Sequence, residues 1–303
     1  MKAMILAAGL GTRLRPLTSR RAKALIPVAN RPLIDRTIEY LKAHGVTEIV
    51  VNAYHHHQQI VRHLDGGKPF KIPIEVRVEP EILGTGGGIK NTGDFWGADP
   101  FIVINGDILT DIDLVKAYEA HKKNRGLATL ILHDYRRFNK IRVNSSSRIT
   151  AIPHKSPPDR TGTLAFSGIH IIEPELLDSI PEGVFSDIID CYRKLIDSGL
   201  EIKAQAAKNH YWRDIGTIKS YVLANRESLA ENPVLIAPGC RIHSAAKLMD
   251  WAVVGKDAYI EEGAEITRSI LWEGVRVKKG IRVIDSIVTS SMEVSSDLMD
   301  RVF

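Results

Sequence analysis

The sequence predicts an α/β protein in which a mainly parallel sheet is followed by a parallel β-helix. Two textures carry that reading. From the start to about residue 125, short apolar runs alternate with amphipathic stretches, and after Asn232-Pro233 aliphatic residues recur at every sixth position. Between them, strand-like runs are separated by Asn, Ser, Pro and Gly clusters.

In the first texture, Met4 to Ala8, Glu48 to Asn52, Ile74 to Val78 and Phe101 to Asn105 are the apolar runs. Leu33 to Ala43, His56 to Leu64 and Leu114 to Lys122 are the helix-like stretches. That alternation marks βαβ units, which build parallel sheets. Ligands of such sheets gather outside the carboxyl ends of the strands, so chemistry is expected just after each run. In the middle, Thr129 to His133, Lys140 to Val143, Ile149 to Ile152 and Leu164 to Ile172 read as strands, expected to run antiparallel as a second wall over the first sheet. Helices are expected from about Phe185 to Ser198 and from Ile218 to Ala230.

The last texture places Ile236, Ile242, Leu248, Val254, Ile260 and Ile266 six apart, then, after a one-residue slip, Leu271, Val277 and Val283. A period of six is neither helix nor ordinary strand. It fits short rungs that each place one aliphatic side chain in a stacked core and turn at residues such as Gly239, Gly255 and Gly263. Residues 1–231 and 232–303 are therefore expected as two domains.

Composition is that of an ordinary globular chain: 303 residues, 44% hydrophobic and 25% charged. The net charge of +5 is not gathered into a Lys/Arg block. It argues against nucleic acid as a partner and is compatible with phosphorylated small molecules. Cys191 and Cys240 have no metal-ligand spacing, so two free thiols are expected. The opening MKAMILAAG is too short an apolar run for a signal peptide, and no stretch reaches 18 uninterrupted apolar residues. A cytoplasmic protein with no membrane partner is expected.

Chemistry concentrates in four places. LAAGLGTRLRPLT, Leu6 to Thr18, sets Gly9 and Gly11 directly after a strand, followed by Thr12, Arg13 and Arg15. Glycines there let backbone N–H groups approach phosphate oxygens while arginines neutralise charge. Leucine at position 14 breaks GxGxxG, and no GKS or GKT follows, which excludes the dinucleotide fingerprint and the Walker loop. VEPEILGTGGGIKN, Val78 to Asn91, joins a strand end to three consecutive glycines that could bring backbone against a planar base. FIVINGDI ends a buried strand in Asn105, Gly106 and Asp107, where a carboxylate is costly without a cation or a partner. YWRDIGT puts Asp214 before a glycine turn and a helix. The run His55 to His57 is read as a solvated helix start, because adjacent residues on one helix cannot easily converge on one ion.

These strings resemble the sugar-1-phosphate nucleotidyltransferase family, whose opening GxGTRLxPLT is followed by a lysine in a Pro-Lys-Pro-like setting and then PVxxxPLI. RAKALIPVANRPLI, Arg21 to Ile34, supplies the second part, with alanine at position 22 where the family has proline. The resemblance implies a Rossmann-like mixed sheet of the nucleotide-diphospho-sugar transferase fold with an appended left-handed β-helix. It implies condensation of a nucleoside triphosphate with a sugar 1-phosphate, releasing pyrophosphate, with Mg²⁺ as cofactor and a homo-oligomer as the assembly. Residue by residue, it implies Arg13 and Lys23 as catalytic groups on the triphosphate. Leu6, Ala8, Gly9, Gly11 and Thr12 would bind nucleotide, as would Glu79, Gly84, Thr85 and Gly86. Asn105, Gly106, Lys155 and Gly168 would bind the sugar phosphate, and Asp107 and Asp214 would share the metal. Lys155 comes from IPHKSPP, where His154 replaces the family's glutamate.

The base is left open: LGTGG is similar to guanylyltransferases acting on mannose 1-phosphate, whereas TGGGI with VNAYHHHQQI looks like uridylyltransferases acting on amino-sugar or hexose phosphates. Two other functions fit the same fold. A non-catalytic nucleotide-sugar-binding subunit is disfavoured by Arg13, Lys23, Asp107 and Asp214 all being kept. A bifunctional enzyme with an acyltransferase β-helix is disfavoured because His243 is the only histidine after residue 231.

Overall fold

The computed structural model describes residues 1–124, 126–155 and 160–303. These form two compact units, one of Met1–Leu10 with Arg36–Trp212, the other of Gly11–Asp35 with Arg213–Phe303.

The first unit is a nine-stranded sheet flanked by helices. Its elements in chain order are β1 (Lys2–Leu6), α1 (Leu33–Ala43), β2 (Glu48–Ala53), α2 (His57–Leu64), β3 (Ile74–Val78), α3 (Gly84–Lys90), β4 (Phe101–Asn105) and α4 (Leu114–Asn124). Then follow β5 (Ala128–His133), β6 (Ile141–Val143), β7 (Ile149–Ala151), β8 (Thr163–Ile172), α5 (Ile188–Asp197) and β9 (Ile202–Ala207). The sheet order is β7-β6-β8-β4-β1-β2-β3, with β5 against β8 and β9 against β5. β1 runs parallel between β2 and β4, with Leu6 level with Asn52 on one side and Asn105 on the other. Ala3, Met4, Ile5, Val50 and Val103 are wholly buried, which is why these strands read as continuous apolar runs with no polar face.

The middle strands do not form a second wall. β8 pairs antiparallel with β4 along Ile169–Ile172 and with β5 on its other edge, so they extend the same sheet past β4. An alternating pattern fixes which face of a strand is buried, not which edge it joins, and that choice was invisible in the sequence. β9, parallel to β5, was not anticipated at all. α5 begins later than Phe185 because 184–186 run as extended backbone against α3, and Phe185 is 69% exposed. Its apolar stripe, Ile188, Cys191, Tyr192 and Leu195, follows helical spacing and packs on Leu130, Ile172 and Ile202 of the sheet. Asp187 caps it by accepting from the Ile189 N–H at 2.7 Å.

In the second unit, α6 (Ile218–Glu227) is followed by β10 (Val234–Ile236), β11 (Arg241–Ile242), β12 (Lys247–Val254), β13 (Tyr259–Ile260), β14 (Glu265–Leu271) and β15 (Arg276–Val277). β16 (Arg282–Ile284), β17 (Ile287–Val288), β18 (Glu293–Val294) and β19 (Leu298–Met299) complete it. All ten strands pair in parallel. Arg241 pairs Tyr259, which pairs Arg276, which pairs Glu293, strides of 18, 17 and 17 residues. Val234 to Ala252 and Ala252 to Ser269 repeat the first two strides on another ladder, as Lys247, Glu265 and Arg282 do on a third. Three ladders with one stride are compatible with a β-helix.

The corners share a conformation. Gly239, Asp257, Gly274 and Ser291 stack with φ of 79°, 57°, 68° and 58°, and Asp250, Arg268, Asp285 and Asp300 with φ of 62°, 45°, 47° and 52°. Left-handed backbone at one residue per corner turns the chain sharply, a geometry that glycine and short polar residues tolerate best. Arg268 grips Asp285 with two 2.7 Å hydrogen bonds and reaches Asp250 at 3.2 Å, bridging three coils. Gly255 is glycine for a different reason: a Cβ there would lie 2.4 Å from the Trp272 carbonyl carbon of the next coil.

Of the aliphatic residues spaced by six, Val254, Ile260, Ile266, Leu271, Val277 and Val283 are wholly buried in one stacked core. Ile236 lies in the first rung and is 47% exposed. Both cysteines are free, and among the described residues no helix is long and apolar enough to cross a membrane.

Candidate active site

In the first unit the carboxyl ends of β4, β1 and β2 lie side by side, and the residues leaving them are locked together. Gly106 donates its N–H to the Leu6 carbonyl at 2.9 Å, and a Cβ at Gly106 would sit 2.8 Å from that oxygen. Gly168, on β8 with φ 82°, passes so close to Asn105 that a Cβ would lie 2.8 Å from its amide nitrogen. Leu6, Asn105, Gly106 and Gly168 are thus brought together, and the half-buried Asp107 leaves the chain at this point.

The loop after β1 is held from the side by Asn52, a residue the sequence reading passed over. Its side-chain oxygen accepts from the Ala7 N–H at 2.8 Å, and its amide donates to Glu79 at 2.7 Å. Glu79 is 2% exposed, and its second oxygen accepts from the Leu83 N–H at 3.1 Å. Its carboxylate therefore brackets the loop to the start of α3. The signal for Asn52 was a polar residue closing an apolar run at a strand end, level with Leu6.

Gly9 stands apart. It is exposed, its φ is not positive, and a Cβ added there would meet nothing within 4 Å. No packing or strain within the chain requires glycine at this position. Ala8 beside it is half-buried.

The glycines of LGTGGG are accounted for internally. A Cβ at Gly84 would lie 2.6 Å from the Ser186 carbonyl oxygen, at Gly87 2.7 Å from that of Val184, and at Gly88 2.7 Å from the Asn52 amide. Gly86 and Gly87 give their N–H groups to Ser186, at 2.7 and 3.2 Å, and the Thr85 hydroxyl accepts from the Ile188 N–H at 2.9 Å. The run lets α3 seat against the chain entering α5. Lys155 is exposed, and the Ser156–Pro158 part of IPHKSPP lies outside the described residues.

In the second unit, Gly11 has φ 65°, and its carbonyl accepts from the Leu14 N–H and the Thr18 hydroxyl, both at 2.9 Å. A Cβ at Gly11 would press on Thr18 and come within 3.3 Å of the Lys23 Cβ, so Gly11 and Lys23 are neighbours. Thr12 and Arg13 are exposed on the one-turn helix that follows, anchored by wholly buried Leu14. Gly216 joins Arg13 to Asp214: one point, its missing Cβ, is 2.8 Å from Asp214 Oδ2 and 3.0 Å from Arg13 Nη2. The sequence reading noted that glycine only as a turn. Next to it, Thr217 and Ser220 form a reciprocal cap that starts α6.

Asp107 belongs to the first unit and Asp214 to the second, and among the described residues no three His, Cys, Asp or Glu side chains converge as a ready-made metal cage. In the histidine run, the His57 Nδ1 pairs with the Tyr54 carbonyl at 3.0 Å and the His56 backbone is left-handed.

Residues 2–231 match the model of the nucleotidyl transferase family. A UTP–glucose-1-phosphate uridylyltransferase of Synechocystis sp. is 30% identical, over 95% of this chain and 87% of that protein. A mannose-1-phosphate guanylyltransferase of Mycobacterium tuberculosis is 28% identical, over 92% of this chain and 81% of that one. Among solved structures, a putative glucose-1-phosphate thymidylyltransferase from Bacillus anthracis, in complex with a sucrose, superposes with a TM-score of 0.68 at 26% identity. It covers 77% of this chain and 96% of that chain. The chain belongs to the nucleotidyl transferase family.

Proposed function

We propose that this chain condenses a nucleoside triphosphate with a sugar 1-phosphate, giving a nucleotide sugar and pyrophosphate. The observation that carries this reading is the strand-end cluster of Leu6, Asn105, Gly106 and Gly168, from which Asp107 emerges beside a loop whose Gly9 faces open space. Backbone N–H groups at an uncrowded glycine suit phosphate oxygens. Leu6, Ala8, Gly9, Gly11 and Thr12 then cradle the nucleotide, with Arg13 and Lys23 neutralising the triphosphate. As a phosphate oxygen of the sugar attacks the α-phosphorus in line, Lys23 stabilises the charge that grows there. Asn105, Gly106, Gly168 and Lys155 receive the sugar phosphate. Gly84, Thr85 and Gly86 form the wall of the base pocket, and Glu79 serves it by holding Leu83 and Asn52 in place.

A divalent ion fits the donor set. Asp107 and Asp214 are half-buried carboxylates, hard oxygen donors of the kind Mg²⁺ takes one or two at a time, completing its shell with substrate phosphates and water. When bound, Mg²⁺ draws off phosphate charge and aligns the reacting groups. Arg13, beside Asp214, balances that carboxylate before substrate arrives.

In this reading residues 1–231 carry the chemistry and 232–303 form a left-handed hexapeptide-repeat β-helix that supports a homo-oligomer, in the cytoplasm. The substrate pair is GTP with mannose 1-phosphate, or UTP with an amino-sugar or hexose 1-phosphate. The test is a matrix of the common triphosphates against a panel of sugar 1-phosphates, read by pyrophosphate release. Release with one pair is expected, and no release with any pair overturns the reading.

A further inference from the structure

Arg21, two residues before Lys23, is gripped by the stacked strands of its own unit. Its guanidinium lies over the Trp272 ring, 4.6 Å from the centroid, and donates to Glu273 through both terminal nitrogens, one bond at 3.3 Å. It also donates to the Ser290 hydroxyl at 2.8 Å, and that hydroxyl donates to Glu273 at 2.6 Å, closing a triangle across two successive coils. Burial works against charge on Glu273, but the hydrogen bonds from Arg21 and Ser290 outweigh it and hold the carboxyl below its usual range.

The far end of the same segment is tied as well. Trp272 Nε1 donates to the Tyr221 hydroxyl at 2.9 Å, and that hydroxyl donates to the Pro27 carbonyl at 2.8 Å. The Asn30 amide donates to the Val254 carbonyl at 2.9 Å. Between these anchors lies the one-turn helix Lys23–Leu25. Ala22 enters it at φ −56° and ψ 138°, the backbone region that proline would impose. Alanine keeps that path without the ring that would enforce it.

We propose that Arg21 is a positioning residue, and that Trp272, Glu273 and Ser290 make the C-terminal stack a brace for the turn that presents Lys23. This rests on the role given to Lys23 above. A forked, stacked arginine has little freedom left to lose, so its contribution is the order of one turn more than global stability. The absent proline ring is replaced by a clamp from another part of the chain.

The test uses the full chain with Glu273→Gln, Arg21→Ala and the double variant. With the substrate pair found by the screen, each single variant is expected to lower kcat roughly tenfold and to change the KM for the triphosphate less than about threefold, since what is lost is alignment. The double variant is expected to be no worse than the weaker single one. Separately, with no substrate present, hydrogen exchange at the Leu25 and Ile26 amides, which close this turn, is expected to accelerate in Glu273→Gln. Unchanged exchange, or a kcat within about twofold of wild type, overturns the proposal, as does strict additivity of the two substitutions. If wild type releases no pyrophosphate with any pair, the reaction assignment fails, while the exchange result still decides the brace.

Discussion

Gly9 and the run Gly84–Gly88 carry the same residue in the same unit for opposite reasons. At Gly9 a Cβ would meet nothing; at Gly84, Gly87 and Gly88 it would land within 2.8 Å of a neighbouring polar atom. The first leaves surface for something outside the chain. The second lets two segments of the chain close on each other. A glycine-rich string is therefore not by itself a ligand cradle, and the three consecutive glycines that looked most like one are the part most fully used by packing.

The two roles separate under mutation. The largest effect is expected on the ligand-facing side at Asp107: Asp107→Ala lowers pyrophosphate release by roughly a hundredfold or more, several kcal/mol of transition-state stabilisation, with the melting temperature nearly unchanged. Chelating divalent ions from wild type should reproduce that loss. Release that persists undiminished in Asp107→Ala removes this residue from the chemistry. On the packed side, Gly88→Ala forces a Cβ between the Asn52 amide and the Glu79 carboxylate, 2.7 and 2.8 Å away. Denaturant unfolding should show it less stable by about 1–3 kcal/mol. A loss under about 0.5 kcal/mol, the ordinary range for surface substitutions, would mean the contrast is drawn in the wrong place.

Gly9→Ala is the complementary case. Its stability should stay within about 0.5 kcal/mol of wild type, while kcat/KM for the triphosphate falls about tenfold, the equivalent of about 1.4 kcal/mol. Full activity in this variant would show that the open space is not where phosphate sits. The smallest effect is acid sensitivity of the close-packed unit, which holds His121, His133 and His170. Burial lowers their pKa values from 6.5 to about 4, about 4 and about 3, and His210 adds to the effect at His133. Above pH 6.5 their contribution is complete. As pH falls from 6.5 toward 4 the unfolded chain takes up protons that the folded one refuses, and stability declines. A melting temperature lower by several degrees at pH 5 than at pH 7 is expected; an equal one would show that these rings protonate without unfolding.

The strands that line the site were legible because each is an unbroken apolar run: β3 and β4 begin and end where the pattern placed them, and β2 within one residue. Sheet membership was not, since β8 joins β4 through contacts some 65 residues apart and nothing local encodes that partner. In the stacked strands, the period of six exposed only half of the core. Cys240, Ala246, Ala252, Ala258 and Ala264, each two residues before a spaced aliphatic residue, also face inward, and small side chains do not stand out as a pattern. Ile236 fits the period yet lies in the first rung, which pairs with a coil on one side only. At the site, residue types that announce chemistry were found and those that support it were missed. Asn52 bridges two loops, and Glu79, expected to face a base, is turned inward with both oxygens occupied.

The left-handed corners return at a fixed stride, and that makes the C-terminal region modular in length. Deleting one residue between Asp257 and Gly274 would move every later side chain off its wall, turning Val277 and Val283 outward. Removing a complete turn of 17 leaves each wall and each corner in register with the one before. This part of the chain can be shortened or lengthened only in whole coils, and Arg21 limits even that freedom, because the coils bearing Glu273 and Ser290 are the two that cannot be spared.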